Sequence, residues 1–257
     1  MENLVKMAFN PSFWKGKSVL ITGHTGFKGS WMSYILNLIG AKVTGISLEP
    51  KSNPNLFSLL EIEGLISNNI QDINNHYDLS NQVINADPEI VIHLAAQPLV
   101  RSSYEDPMNT FSTNIMGTVN LLESILKLKN LASAVFITTD KVYANNNKKV
   151  PYIETDPLGG YDPYSSSKAA SEIVIDSYFK SFLSKTKVGI ATARAGNVIG
   201  GGDWSKDRLL PDIIRAWEKE KAVKIRNPEH IRPWQHVLEP VFGYLDLAEK
   251  LALDSKL

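Results

Sequence analysis

This 257-residue sequence predicts an α/β protein with a doubly wound parallel sheet. Three features carry that expectation. Short apolar runs rich in β-branched residues alternate with longer amphipathic stretches, the pattern of strands buried on both faces by helices. A glycine-rich turn follows the first apolar run and opens a helix. A later helix carries Tyr164 and Lys168, four residues apart and therefore on one helical face.

The elements follow in order. Lys17 to Thr22 reads as a buried strand, then a turn and a helix through about Leu38. Gly40 is a natural helix stop before a second strand, Ala41 to Ser47. Glu89 to Leu94 and Ser133 to Thr139 are further short apolar runs, and Phe111 to Leu128 between them has helical periodicity. Val188 to Ala195 reads as a strand after the Tyr164 helix. Beyond Arg194 the pattern breaks into Gly- and Pro-containing loops with one helix near Leu210 to Glu220, read as a smaller substrate lobe. Residues 13–195 are thus expected to form the main domain and 196–238 a partial lobe, with helix 239–253 packing back on the main domain.

Composition narrows the functions available. Lys plus Arg and Asp plus Glu both number 27, so no overall field recruits nucleic acid or an acidic membrane surface. Any bound anion must be met by local groups. The absence of Cys excludes disulfides, thiolate metal sites and cysteine nucleophiles. No apolar run approaches the ~18 residues of a membrane span, and Met1 to Asn10 lacks a signal-peptide core, so the cytoplasm is the expected location. His24, His76 and His230 have no metal-ligand spacing, and no metal is expected.

Gly23-His24-Thr25-Gly26-Phe27-Lys28-Gly29 lies directly between the first strand and its helix. In that context the glycines permit a tight turn, close approach to a pyrophosphate and close helix–sheet packing, while the helix amino terminus supplies N–H donors. His24, Thr25, Phe27 and Lys28 are the side chains of that loop, the last three expected at the cofactor. The residues expected to line a Rossmann-like NAD site are Gly23, Thr25, Gly26, Phe27, Lys28, Gly29, Ser47, Asp72, Ala95, Ala96 and Gln97, with Tyr164 and Lys168 beside them. Ser47 stands where an acid would take the ribose hydroxyls of NAD, so the residues alone leave NAD and NADP open. Asp72 is read equally as an adenine contact or a turn residue.

Thr139, Asp140 and Lys141 follow the Ser133 run, about 25 residues before Tyr164. Ligands of open α/β sheets bind outside the carboxyl ends of the strands, so this triplet and His93-Leu94-Ala95-Ala96-Gln97 should face one crevice. An ammonium beside a phenol stabilises the phenolate and draws its pKa below the usual ~10, which makes Tyr164 a candidate general base.

Taken with His93 to Ser103, Gly196 to Trp204 and Arg232 to Val237, these motifs resemble the nucleotide-sugar 4,6-dehydratases of the extended short-chain dehydrogenase/reductase family, from about Phe13 to the last residues. The resemblance implies a hydro-lyase of deoxysugar biosynthesis that uses NAD and regenerates it in each turnover. Its implied substrate is a nucleotide-linked glucose, CDP-glucose by the nearest likeness. It implies that Tyr164 takes the 4-hydroxyl proton, Lys168 supports the phenolate, Thr139 holds the 4-oxygen, Asp140 protonates the leaving 6-hydroxyl and Lys141 removes the C5 proton. Lys141 takes the place of a Glu common in dTDP-glucose relatives, and must be neutral to act. By the same likeness Asn197 and Arg232 contact the diphosphate and Asn114 organises the cofactor site, although a structural amide is nearly as good an account of Asn114. Arg208 is a weaker candidate that reads more readily as a surface salt-bridge residue. Gln97 and Arg101 are expected at the hexose.

The family usually continues several tens of residues past the position of Leu257, so part of the substrate lobe is expected to be truncated. Two other readings stay open: a nucleotide-sugar 4-epimerase, which needs no Asp140–Lys141 pair, and a non-catalytic dinucleotide-binding fragment. A homodimer through helices bearing Leu121, Leu122, Ile125 and Ile173 is possible, although the same apolar stripes serve as core.

Overall fold

The computed structural model describes residues 9–145, 150–225 and 227–257. Six parallel strands form one sheet: β1 (Ser18–Thr22), β2 (Lys42–Ser47), β3 (Ser67–Ile70), β4 (Ile90–His93), β5 (Ser133–Ile137) and β6 (Gly189–Ala193), in the order β3-β2-β1-β4-β5-β6. Residues alternate between the two faces. Val19, Ile21, Ile90, Ile92, Val135 and Ile137 point into one core, while Leu20, Val91, Ala134 and Phe136 point into the other. Burial on both faces is why these strands read as continuous apolar runs.

The first core is closed by α1 (Phe27–Leu38), through Met32 and Leu36, together with Trp14 and the last helix. The second is closed by α2 (His76–Ala86), α3 (Gly117–Ile125) and α4 (Pro163–Tyr178), through Leu79, Val83, Leu121, Leu122 and Ile175. Leu121, Leu122 and Ile125 are thereby core residues, whereas Ile173 is exposed. Helix α5 (Leu209–Glu218) stands in the segment after β6, and α6 (Leu238–Leu253) lies on the first face, burying Val241, Leu245, Ala248 and Leu251. The Ser133 hydroxyl donates to the Ala248 carbonyl at 2.8 Å, and a Cβ on Gly189 would stand 2.7 Å from the Leu251 carbonyl oxygen. The fit of α6 against β5 and β6 thus depends on two small residues.

Two details depart from the periodicity of the sequence. The stretch expected as one helix from Phe111 is helical at Pro107–Phe111, π-helical at Ser112–Met116 and α-helical again from Gly117. Such a bulge interrupts the helix without ending it, and the buried Asn114 lies within it. Beyond β6, β7 (Asn197–Ile199) pairs in parallel with β8 (Trp234–His236), a small sheet joining segments too short and too distant to read as partners.

The strand order reverses direction between β1 and β4. In open α/β sheets the ligand crevice lies outside the carboxyl ends of the strands at such a reversal.

Candidate active site

The glycine loop lies in that crevice. Gly23 has φ +79°, and a Cβ there would stand 2.6 Å from the Ala95 nitrogen, so only glycine lets the turns after β1 and β4 meet. A Cβ on Gly29 would stand 2.1 Å from the Gly23 carbonyl oxygen, which requires glycine where α1 leaves the turn. Gly26 caps α1 with no side-chain hydrogen bond, leaving first-turn N–H groups for an anion. The Thr25 hydroxyl bonds the Ser47 hydroxyl at 2.9 Å and donates to the Leu48 carbonyl at 2.7 Å, tying the loop to the end of β2. Ser47 is buried and Glu49 exposed. Ala95 and Ala96 line the exit from β4, half-buried, and Phe27 is half-buried against the first core. These features fit a dinucleotide, with backbone donors and a close-approach turn at the pyrophosphate position.

Asp72 follows β3 and is exposed; its carboxylate accepts from the Asn74 N–H at 2.9 Å, the turn role anticipated for it. Asn114 clamps the Gln97 backbone, accepting from its N–H at 2.8 Å and donating to its carbonyl at 3.2 Å and to the Ser167 hydroxyl at 2.8 Å. It joins the loop after β4 to α4. The expectation for the Gln97 side chain needs correction. Its amide is buried and donates to the Leu99 carbonyl (3.1 Å) and the Thr110 hydroxyl (2.9 Å), while its oxygen accepts from the Leu99 N–H (2.7 Å). The side chain shapes the loop and does not extend to a hexose.

Asp162 caps α4, accepting from the Ser165 N–H at 2.9 Å, and Pro163 occupies the first turn. Tyr164 and Lys168 are thereby placed on the buried side of the helix. The Lys168 ammonium donates to the Ile137 carbonyl at 2.8 Å, at the end of β5. Burial pushes Lys168 down to about 8, with Glu172 acting to raise it and Lys28 lowering it further. The Tyr164 phenol is pushed up, not down as its neighbour suggested. Burial dominates, the Thr139 hydrogen bond and Arg208 pull it down, and Asp140 and Asp162 push it up. The Lys168 ammonium is committed to a backbone carbonyl, and burial of the phenol outweighs the groups that favour the phenolate.

Thr139, Asp140 and Lys141 form a helical turn where β5 ends. The Thr139 hydroxyl donates to the Asp140 carboxylate at 3.1 Å, and the Asp140 N–H reaches the Ala195 carbonyl at 3.2 Å. The Lys141 ammonium stands over the Tyr164 ring, and its pKa is lowered by burial, with Asp140 opposing and Arg232 assisting. Phenol, hydroxyl, carboxylate and amine therefore surround one space.

Cations converge on it as well. Lys28 donates to the Tyr244 hydroxyl at 3.2 Å and is pushed to about 8, by burial first and then by Arg208, with Asp140 opposing. Tyr244, on α6, feels the charge of Tyr164, and burial raises its pKa. Nothing in the sequence marks it, since it shares an apolar helix face with Val241, Leu245 and Ala248. Arg208 pairs with Asp203 at 2.8 Å, the ion pair read from sequence, yet its charge also reaches Tyr164, Lys28 and Lys141. Arg232 is exposed, 3.4 Å from the His230 ring nitrogen, and Asn197 is half-buried at the start of β7. Arg101 is exposed and bound to Asp207 at 2.6 Å. Among the described residues no cluster of three or more His, Asp or Glu could hold a metal ion, and no helix is long and apolar enough to cross a membrane.

A glycine loop at the strand-order reversal of a six-stranded parallel sheet defines an α/β protein of the dinucleotide-binding type. Residues 20–254 match the family model described as GDP-mannose 4,6 dehydratase, and the chain belongs to that family. Within it, the chain is 51% identical over 245 residues to CDP-glucose 4,6-dehydratase of Salmonella typhimurium, covering 93% of this chain and 68% of that protein. It is 30% identical to dTDP-D-glucose 4,6-dehydratase of Dictyostelium discoideum over 81% of this chain and 50% of that one. Among solved structures, UDP-glucose 4-epimerase of Thermotoga maritima with UDP-glucose shares the fold at TM-score 0.78 and 24% identity, over 88% of this chain and 72% of that one. The dTDP-glucose 4,6-dehydratase of Streptomyces venezuelae, with NAD bound, shares it at TM-score 0.77 and 21% identity, over 88% and 70%.

Proposed function

We propose that this protein removes water from CDP-glucose to give CDP-4-dehydro-6-deoxyglucose. The observation that carries the proposal is the convergence of Tyr164, Thr139, Asp140 and Lys141 on one space, with Lys141 over the Tyr164 ring and Thr139 hydrogen-bonded towards both phenol and carboxylate. An epimerase needs the phenol but has no use for the acid–amine pair.

Tyr164, as the phenolate, takes the proton of the sugar 4-hydroxyl while Thr139 holds the 4-oxygen. Burial opposes that phenolate, and the Thr139 hydrogen bond and Arg208 favour it. NAD, when bound, supplies the hydride acceptor for C4 and the hydride donor for C6, and so ends the cycle as it began. Once C4 is a ketone, the C5 hydrogen is acidic and Lys141 removes it as a neutral amine, a state favoured by its lowered pKa. Asp140 passes a proton to the departing 6-oxygen, which leaves as water. Lys141 returns a proton to C5 when C6 is reduced. The glycine loop and the amino terminus of α1 would hold the dinucleotide pyrophosphate, with Ser47 at the ribose, Asp72 near the adenine, and Lys168 at the nicotinamide ribose. Arg232, Asn197 and Arg208 would meet the two charges of the sugar diphosphate.

Incubation of the purified chain with CDP-glucose and NAD, followed by mass analysis, tests the reading. A product lighter by one water is expected; an isomer of unchanged mass would indicate epimerisation, and unchanged CDP-glucose would overturn the assignment.

A further inference from the structure

A buried charge sits one helical turn beyond Lys168 and has no part in the chemistry described. Glu172, 5% exposed, accepts from the Thr138 hydroxyl at 2.5 Å and from the Arg194 guanidinium, whose Nε lies 2.9 Å from one carboxylate oxygen. The ion pair is nearly enclosed, with side chains 15% and 5% exposed. Removing a carboxylate from water is costly unless it is fully partnered, so its retention here calls for a physical reason.

Its contacts supply one. Thr138 precedes Thr139, so the carboxylate grips the strand end that presents Thr139 and Asp140. Glu172 also lies four residues after Lys168 on α4, on the same face. Arg194 directly follows β6, the strand beside β5, lies over the Tyr143 ring with its guanidinium carbon 4.7 Å from the centroid, and donates to the Glu154 carbonyl at 3.2 Å. One ion pair therefore joins α4, the ends of β5 and β6, and the segment following Lys141.

We propose that Glu172 is a positioning residue: held by Arg194 and Thr138, it fixes the strand end bearing Thr139 and Asp140 and sets a negative charge beside the Lys168 ammonium. This assignment rests on the reading of Tyr164 and Lys168 as the oxidation pair. The charged and titratable groups facing Lys168 are Glu172 and Tyr164 on its own helix, Lys28 from α1 and His93 from β4, the last held neutral by burial. Glu172 is the one anion among them. Without it, burial and Lys28 act on the ammonium unopposed.

The test is Glu172→Gln, whose amide keeps the size and can still bond Thr138. The Lys168 titration is followed by NMR of Cε-labelled lysine, with Lys168→Arg for assignment. A downward shift of about one pH unit or more is expected, the usual effect of losing a close opposite charge. The C4-oxidation half-reaction at neutral pH should fall roughly tenfold with little change in KM. An unshifted Lys168 titration overturns the proposal, because a merely structural pair would leave it unmoved. If Glu172→Gln does not fold, Thr138→Val carries the test: oxidation should fall about fivefold or more, the size of one lost hydrogen bond, and an unchanged rate overturns the strand-end role. Tyr164→Phe separates the two ideas. Undiminished oxidation in that variant would defeat the functional reading itself, whereas loss there beside an unaltered Glu172→Gln would defeat this one alone.

Discussion

The Lys141 ammonium lies 5.9 Å from the centroid of the Tyr164 ring, so an amine and a phenol from separate elements share one wall of the crevice. Lys141 leaves the end of β5 and Tyr164 the first turn of α4, and burial with Arg232 and Arg208 lowers the lysine pKa. Lys141→Ala should therefore abolish solvent deuterium incorporation at C5 while leaving C4 oxidation measurable. Undiminished exchange would exclude Lys141 as the C5 base.

The same geometry gives a sign for pH. Only neutral Lys141 can accept the C5 proton, so exchange should rise with pH through a pKa below the ordinary lysine value. Arg232→Leu removes a cation that lowers this pKa, so the rise should move to higher pH. A profile displaced to lower pH in that variant would contradict the charge arrangement.

His93 makes the fold sensitive to acid. Its ring is buried between the Thr22 hydroxyl at 2.6 Å and the Thr118 hydroxyl at 3.1 Å, and burial, aided by Lys168, holds its pKa at about 3. The unfolded chain binds this proton below about 6.5, so the stabilisation is complete above 6.5 and declines as pH falls toward 3, by about 1.4 kcal/mol per unit at most. Denaturant melts of His93→Gln should show a shallower decline over that window. Parallel curves would refute the assignment.

Lys168 should behave as a functional liability. With a folded value of about 8 against 10.5, its buried charge weighs on the folded state below pH 8, and that burden fades as pH rises from 8 to 10.5. Lys168→Met should lose C4 oxidation, match or exceed the parent stability at pH 7, and flatten the gain above pH 8. A variant markedly less stable at pH 7 would show that the bond to Ile137 outweighs the cost of burial.

Two glycines with the same φ of +79° separate backbone strain from close approach. Gly16 has nothing within 4 Å of its ideal Cβ, whereas Gly23 has the Ala95 backbone at 2.6 Å. Gly16→Ala should cost about 1–2 kcal/mol in denaturant unfolding and leave NAD binding intact. Gly23→Ala should cost about 3 kcal/mol or more and abolish binding by isothermal titration. Equal losses would show that contact with Ala95 is immaterial.

Sequence alone determined what depends on local spacing. The parallel sheet followed from apolar runs separated by helical stretches, the phosphate loop from glycines at a strand–helix junction, and the tyrosine–lysine face from the four-residue interval behind Asp162 and Pro163. Tertiary structure decided charge state and commitment. It turned the Gln97 amide into a loop brace, raised the Tyr164 phenol that its neighbour was expected to lower, brought Tyr244 from α6 to Lys28, and paired Glu172 with Arg194. Desolvation and partner choice sum contacts between residues far apart in the chain, as with Lys28 and Tyr244. No local pattern encodes such sums, whereas helical and strand periodicity is written in every few residues.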